Sequence, residues 1–143
     1  MVDFLIIGGG QCEGYKDIFY MIKEGKIRFG VSESLCFIHK DGVKHINSRW
    51  FTNLDPHKEV DFLDLKDYEE WKYERFDNYD AINIDRTEDI PDYSGVMGVP
   101  LSFLIRWNKR QFDVIDMATD WAGKEKAMIR GKEYFQRILI KKI

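Results

Sequence analysis

The sequence predicts an α/β fold, with a partial parallel sheet in front and antiparallel hairpins behind, on three observations. An apolar run, a helix-period segment and an alternating segment follow one another from Val2 to Val31. Two dipeptides suited to tight turns, Asp41-Gly42 and Gly131-Lys132, each sit between strand-like runs. A charged stretch from Asp55 to Asp64 separates the two halves, placing a soft boundary between residues 1–58 and 59–143.

The elements can be justified in order. Val2 to Ile7 is a short apolar run ending in Gly8-Gly9-Gly10, which reads as a buried strand leaving a sheet through a turn. Tyr15, Ile18, Phe19 and Ile22 fall at i, i+3, i+4 and i+7, one face of a helix, and Gly25 stands where a left-handed C-terminal cap is expected. Ile27, Phe29 and Val31 alternate with polar residues or glycine, the period of a strand. Strand, helix and strand make a βαβ signature. Leu35–Lys40 and the run from Val43 form a hairpin across Asp41-Gly42, a type I′ pair, with the return strand running through Ile46 to Phe51 or Thr52.

Beyond Asp55 a charged loop is expected through about Asn78, with Leu65, Tyr68 and Trp71 supporting at most a helical turn. Ala81–Ile84 reads as a strand. Gly95, Gly98 and Pro100 read as a turn leading into a helix over Leu101–Trp107 with Pro100 at its first position. Phe112–Met117 is a strand, and Ala127–Arg130 with Glu133–Ile140 make a second hairpin around Gly131-Lys132.

Composition bounds the function. With 44% hydrophobic and 15% aromatic residues the chain can bury a core, which argues against disorder. No apolar run is long enough for a membrane span, and Phe4–Ile7 lacks the basic flank of a signal peptide, so a cytoplasmic protein without membrane partners is expected. Cys12 and Cys36 match no paired-cysteine metal spacing and read as free thiols. A net charge of -3 has the wrong sign for an autonomous nucleic-acid binder. Charge is unevenly distributed, however: Asp55 to Asp92 holds fourteen acidic residues against five basic, and Lys124 to Ile143 seven basic against two acidic. A solvated face explains most such clusters, and an interaction surface is the alternative.

Local chemistry is sparse. Gly8-Gly9-Gly10 matches neither a dinucleotide fingerprint nor a phosphate loop and reads as a flexible turn. His39, His45 and His57 are too scattered for a metal motif. No nucleophile elbow surrounds Ser32, Ser34 or Ser48. Asp77, Asp80 and Asp85 are candidate paired carboxylates only if the fold makes them converge, and loop solvation is the plainer reading.

Three strings do carry a recognisable pattern: Arg49-Trp50-Phe51-Thr52-Asn53-Leu54-Asp55, then Asp77-Asn78-Tyr79-Asp80-Ala81-Ile82-Asn83, then Gly95-Val96-Met97-Gly98-Val99-Pro100-Leu101-Ser102-Phe103-Leu104. In this order, with the opening Phe4–Gly8 and Lys26–Gly30 and the closing Arg137–Lys141, the chain resembles the C-terminal half of EcoRI-type adenine-N6 DNA methyltransferases. The resemblance implies the C-terminal strands of a Rossmann-like methyltransferase sheet over 1–58 and a β-rich DNA-recognition region over 59–143. It also implies S-adenosylmethionine for the full-length family and an Asn-Pro-Pro-aromatic motif that holds the flipped adenine. That motif is missing, since Pro56, Pro91 and Pro100 are never adjacent. Neither catalytic nor cofactor-binding residues therefore carry over, and no cofactor is expected for this chain alone.

The resemblance leaves a DNA-recognition or structural part that engages DNA with a missing N-terminal half, and a truncated sheet edge open to self-association. Candidate DNA contacts are Lys40, Lys44 and Arg49 on the first hairpin and Arg130, Lys132 and Arg137 on the last, because cations on a β-ribbon reach phosphates and groove edges. Solvated hairpin charges are the plainer reading of each. A function of another class competes: a small acidic interaction protein whose Asp55–Asp92 segment mimics nucleic-acid charge or binds a basic partner.

Overall fold

The computed structural model describes residues 2–31, 35–55 and 59–143. Ser32, Ser34, Pro56 and His57, considered above, lie outside the described residues. Two compact units divide the chain, Met1–Lys58 and Glu59–Ile143. In both, the described part is rich in strand and poor in helix.

In the first unit, β1 (Leu5–Gly9) leads through a short 3-10 turn to an α-helix, α1 (Lys16–Lys23). Phe19 and Ile22 are its buried side chains. The helix stops as its sequence suggests: Gly25 has φ 75°, its amide donates to Ile22 O, and the Lys26 amide reaches back to Met21 O. These paired bonds satisfy orphan carbonyls of the last turn and require a residue that tolerates positive φ. β2 (Arg28–Val31), β3 (Leu35–His39), β4 (Gly42–Ile46) and β5 (Ser48–Thr52) follow.

The expected βαβ unit with a parallel ladder is corrected. β1 and β2 run in the same direction, but β5 lies between them, antiparallel to both, in the order β1-β5-β2. Aromatic packing and side-chain clasps account for the insertion. Phe51 stands opposite Ile6 on one side and Phe29 on the other, stacks on Phe29 at 6.2 Å, and joins Ile22 and Ile27 in the core. Thr52 Oγ1 donates to Phe4 O at 2.6 Å, while Asn53 Oδ1 accepts from Phe4 N at 2.9 Å and its Nδ2 donates to Val2 O at 3.1 Å. The opening segment is thereby tied to the strand that arrives last.

The first hairpin differs in detail from expectation. His39 pairs with Gly42, so Lys40 and Asp41 form the turn, and neither has the positive φ that a type I′ turn needs. Gly42 takes the left-handed burden instead, at φ 121°. The return strand is broken at Asn47, whose carbonyl accepts the Gly10 amide at 2.9 Å. β3 and β4 therefore form a separate two-stranded ladder, exposed from Cys36 through Ile46. β1 forms one edge of the three-stranded sheet, and its Leu5, Ile6 and Ile7 are 60%, 55% and 45% exposed.

The second unit holds β6 (Ile82–Asn83), β7 (Val96–Pro100), β8 (Phe112–Ala118), β9 (Met128–Ile129), β10 (Lys132–Glu133) and β11 (Arg137–Lys142). Four of them make a mixed sheet in the order β6-β7-β11-β8, with β6–β7 parallel and the other pairs antiparallel. β11 is central, and Ile138, Leu139 and Ile140 are all buried, as a strand covered on both faces requires. β8 buries Phe112 and Val114 and exposes Asp113 and Ile115 between and after them, the period-2 pattern read from sequence.

Three readings change here. Gly95–Pro100 is not a turn, because Val96–Pro100 is an interior strand whose glycine serves packing. A Cβ on Gly98 would come within 2.4 Å of the Phe76 ring, so the small residue admits the aromatic. Leu101–Arg106 is 3-10 rather than α, with Pro100 outside it and still paired with Arg137 in the sheet. Finally, Glu133–Ile140 is not one strand. It breaks between β10 and β11, where buried Gln136 has φ 32°. The charged segment before β6 is mostly loop with one 3-10 turn at Glu70–Lys72, as expected. The Gln111 amide pairs with both the N–H and the C=O of Leu63 at 2.7 Å, supplying the partners a ladder would have provided.

Candidate nucleic-acid interface

The structure sorts the six candidate cations by where their side chains end. Lys40 lies in the β3–β4 turn and Lys44 stands opposite Phe37 on β4. Both are exposed, and neither has an ion-pair partner among the described residues. Around them His39 Nδ1 lies 3.2 Å from an Asp41 carboxylate oxygen, and Cys36 Sγ contacts His45 Nδ1 at 3.2 Å. Arg49, on β5, turns inward. Its Nε donates to buried Glu13 at 3.1 Å and its Nη1 to Asn47 Oδ1 at 2.8 Å, leaving the side chain 14% exposed.

The second hairpin is built around one carboxylate. Its turn residues are Arg130 and Gly131, at φ 50° and 74°, one position earlier than the sequence suggested. Asp77 grips both: Oδ1 accepts the Arg130 amide at 3.1 Å and Oδ2 the Gly131 amide at 2.8 Å. Its neighbours complete the clasp. Asn78 donates to Lys126 O at 2.8 Å and accepts from Met128 N at 3.0 Å, and Tyr79 donates to Glu125 O. Partial burial raises the Tyr79 phenol above its ordinary pKa. The clasp presents Arg130, 84% exposed though paired with Glu74 at 2.9 Å, and Lys132, exposed and without an ion-pair partner among the described residues.

Arg137 is placed differently. It is buried, donating from Nε to Asn83 Oδ1 at 3.0 Å, from Nη1 to Phe135 O at 2.9 Å, and from Nη2 to Asp85 at 3.4 Å, with the Tyr134 ring 5.3 Å away. Burial pulls its guanidinium below the ordinary value, and Asp85 opposes the shift. Hence Lys40, Lys44 and Lys132 are exposed and unpaired among the described residues, Arg130 is exposed and paired, and Arg49 and Arg137 bind inward.

The carboxylates do not converge on acid–base chemistry. Asp77 holds a turn, Asp80 pairs with Arg75 at 3.1 Å, and Asp85 takes Asn83 Nδ2 at 2.8 Å. A cavity of about 470 Å³ is lined by Asp67, Glu69, Asp85 and Asp89 against Lys66 and Lys72, an acidic balance that repels phosphate. No cluster of three or more His, Cys, Asp or Glu suited to a metal occurs among the described residues, and Cys12 and Cys36 are free thiols. Gly8 and Gly9 are strand residues paired with Arg49 and Ser48 rather than part of a flexible turn, and Gly10 alone of the three lies beyond β1. A Cβ on Gly8 would meet the Phe51 ring at 2.7 Å and one on Gly10 the Asn47 amide at 2.7 Å, so their space is already filled by this chain. Among the described residues no helix is long and apolar enough to cross a membrane.

Sequence reasoning missed the roles of Asp77, Asn78 and Glu13. The signal for the first two was present, because their string is one of the three that carry the family pattern. All three strings prove to be joints: Thr52-Asn53 ties β5 to the opening segment, Asp77-Asn78-Tyr79 holds the second hairpin, and Gly98 admits Phe76.

Comparison with known proteins agrees with that pattern. The family described as adenine-specific methyltransferase EcoRI matches residues 2–142. Type II methyltransferase M.EcoRI of Escherichia coli is 38% identical over 96% of this chain and 49% of its own length. Type II methyltransferase M.MpnI of Mycoplasma pneumoniae is 33% identical over 96% of this chain and 56% of its own, and M.MgeORF184P of Mycoplasma genitalium is 30% identical over 97% and 56%. The chain thus spans about half the length of these relatives. No solved structure matches it.

Proposed function

The chain belongs to the EcoRI adenine-specific methyltransferase family, and from that premise we propose that it is the DNA-positioning C-terminal part of a cytoplasmic adenine-N6 methyltransferase, unable to methylate alone. The observation that carries the reading is the pair of hairpins whose outward cations, Lys40 and Lys44 on one and Lys132 on the other, have no internal partner among the described residues. A two-stranded ribbon fits a major groove, and free ammonium groups on it contact phosphates. Arg49 and Arg137 act on this reading as positioning residues, fixing β5 and β11 rather than touching DNA.

Two further features support it. Methyl transfer to an exocyclic amine needs a pocket for the flipped base and a platform for the donor. This chain has no Asn-Pro-Pro-aromatic motif, and the space at Gly8 and Gly10 is filled by Phe51 and Asn47. S-adenosylmethionine, the donor of the family, therefore belongs with the other half. The Leu5-Ile6-Ile7 edge of β1, exposed on both faces, is the place where that half would add a strand of a larger Rossmann-like sheet. Without it, the same edge drives self-association.

The test is complementation. Label from S-adenosylmethionine should not enter adenine-containing duplex with the chain alone, and should enter when a polypeptide carrying the N-terminal half of a relative is supplied. Duplex binding by the mixture should fall steeply with salt. Methylation by the pure chain, or salt-insensitive binding by the mixture, refutes the proposal.

A further inference from the structure

We propose that a cavity beside the end of β7 seats one phosphodiester oxyanion of the DNA backbone, an inference that rests on the reading above and adds residues it does not include. The cavity, of about 350 Å³, lies within the second unit and is lined by Arg86, Thr87, Ser102 and Arg106, with Asp85 and Glu88 among its other walls. Two short 3-10 turns, Thr87–Asp89 and Leu101–Arg106, form most of its walls. Its chemistry is that of side chains.

The polar groups are left over from folding in a way that suits an anion. Thr87 is buried, and its hydroxyl has no hydrogen-bond partner, a lack that a ligand oxygen would relieve once the side chain turns to meet it. Arg86 and Ser102 are exposed, and neither side chain has a hydrogen-bond or ion-pair partner among the described residues. The charge balance favours the same ligand. Glu88 is paired with Arg106 at 3.1 Å, and Asp85 is turned toward Asn83 Nδ2 and Arg137 Nη2. Among the described residues lining the cavity, Arg86 is the cation without an ion-pair partner. The Arg86 guanidinium and the Thr87 and Ser102 hydroxyls belong to residues that line one volume and can donate to the non-bridging oxygens of a phosphodiester, and Ile105 and Pro100 supply the apolar wall that a deoxyribose would meet.

Free phosphate shares this chemistry, so the experiment must separate the two sources. The isotope-labelled 143-residue chain, mixed with a polypeptide carrying the N-terminal half of a relative, would be titrated with inorganic phosphate and with a mixed-sequence duplex, at concentrations where non-specific contacts of roughly 10⁻⁴ to 10⁻⁶ M register as amide shifts. Duplex should shift Thr87 and Ser102. Arg86→Ala should weaken the duplex effect about tenfold and lower the salt slope by about one. Thr87→Val should weaken it too while leaving the melting temperature unchanged or higher, since it deletes an orphan hydroxyl; a purely structural hydroxyl would instead lower the melting temperature. Response to inorganic phosphate without response to duplex overturns the backbone assignment. Duplex shifts confined to the hairpins bearing Lys40, Lys44 and Lys132 overturn the cavity and leave the parent reading standing. Silence at every site also overturns the cavity, while the complementation assay decides the parent reading separately.

Discussion

Replacing Asp77 by alanine tests whether one carboxylate sets the second hairpin. The side chain accepts two backbone amides, at 3.1 and 2.8 Å, and both bonds are exposed to solvent. A hydrogen bond to a charged group contributes about 1.5–3 kcal/mol when sheltered, and exposure brings the pair to about 2 kcal/mol together. The carboxylate also holds Arg130 at φ 50°, a left-handed conformation costing a non-glycine residue roughly 1 kcal/mol. Asp77→Ala should therefore destabilise the second unit by about 2 kcal/mol, read as a lower urea midpoint at unchanged slope, and the Arg130 and Gly131 amides should lose protection from hydrogen exchange. Arg130→Gly relieves the strain without touching the clasp and should stabilise by about 1 kcal/mol in the wild-type background. A loss below about 0.5 kcal/mol in Asp77→Ala, with the two amides still protected, would show that the turn holds itself and that the carboxylate is incidental.

Arg137→Ala should cost about 1–3 kcal/mol in a denaturant titration, because it leaves buried Asn83 Oδ1 without its donor, whereas Asp85, 73% exposed, can turn to water. Arg137→Lys should recover only part of that loss, since one ammonium cannot span three acceptors. Lys40→Ala and Lys44→Ala should leave the melting curve unchanged and each reduce the salt slope of duplex binding by the complemented protein by about one, whereas equal slopes would remove both from the interface. Gly98→Ala should destabilise by about 1–3 kcal/mol, because the added methyl meets the buried Phe76 ring at 2.4 Å; a neutral result would mean the ring can move aside.

Local features were legible in the sequence and distant ones were not. α1 and its Gly25 cap follow from spacing and from one residue's conformational range, and the structure agrees. Both hairpins are real, yet each turn lies one residue earlier than its dipeptide suggested. In the second, the reason is a carboxylate 53 positions away that makes left-handed Arg130 tolerable. β5 enters between β1 and β2 because Phe51 finds Ile22 and Ile27, contacts that no short window contains. The same limit applies to the interface. Lys40, Lys44 and Lys132 could be read as outward from their hairpins, whereas the inward turn of Arg49 depends on Glu13, 36 positions earlier, and that of Arg137 on Asn83, 54 positions earlier. The cavity holding Arg86, Thr87 and Ser102 is assembled from separate turns and leaves no pattern in the sequence.

The pairing of Leu5 with Thr52 has a consequence for the order in which the front unit can form. As the chain leaves the ribosome, β1 must wait for nearly fifty residues of synthesis before the strand that covers its inner side exists. Over that interval Leu5, Ile6 and Ile7 are sticky on both flanks, and at high expression neighbouring nascent chains compete with β5 for them. A polypeptide already folded against the outer flank would shorten the wait by giving β1 a template. Yield at 37 °C should therefore be limited by the pace of that closure more than by the stability of the finished unit.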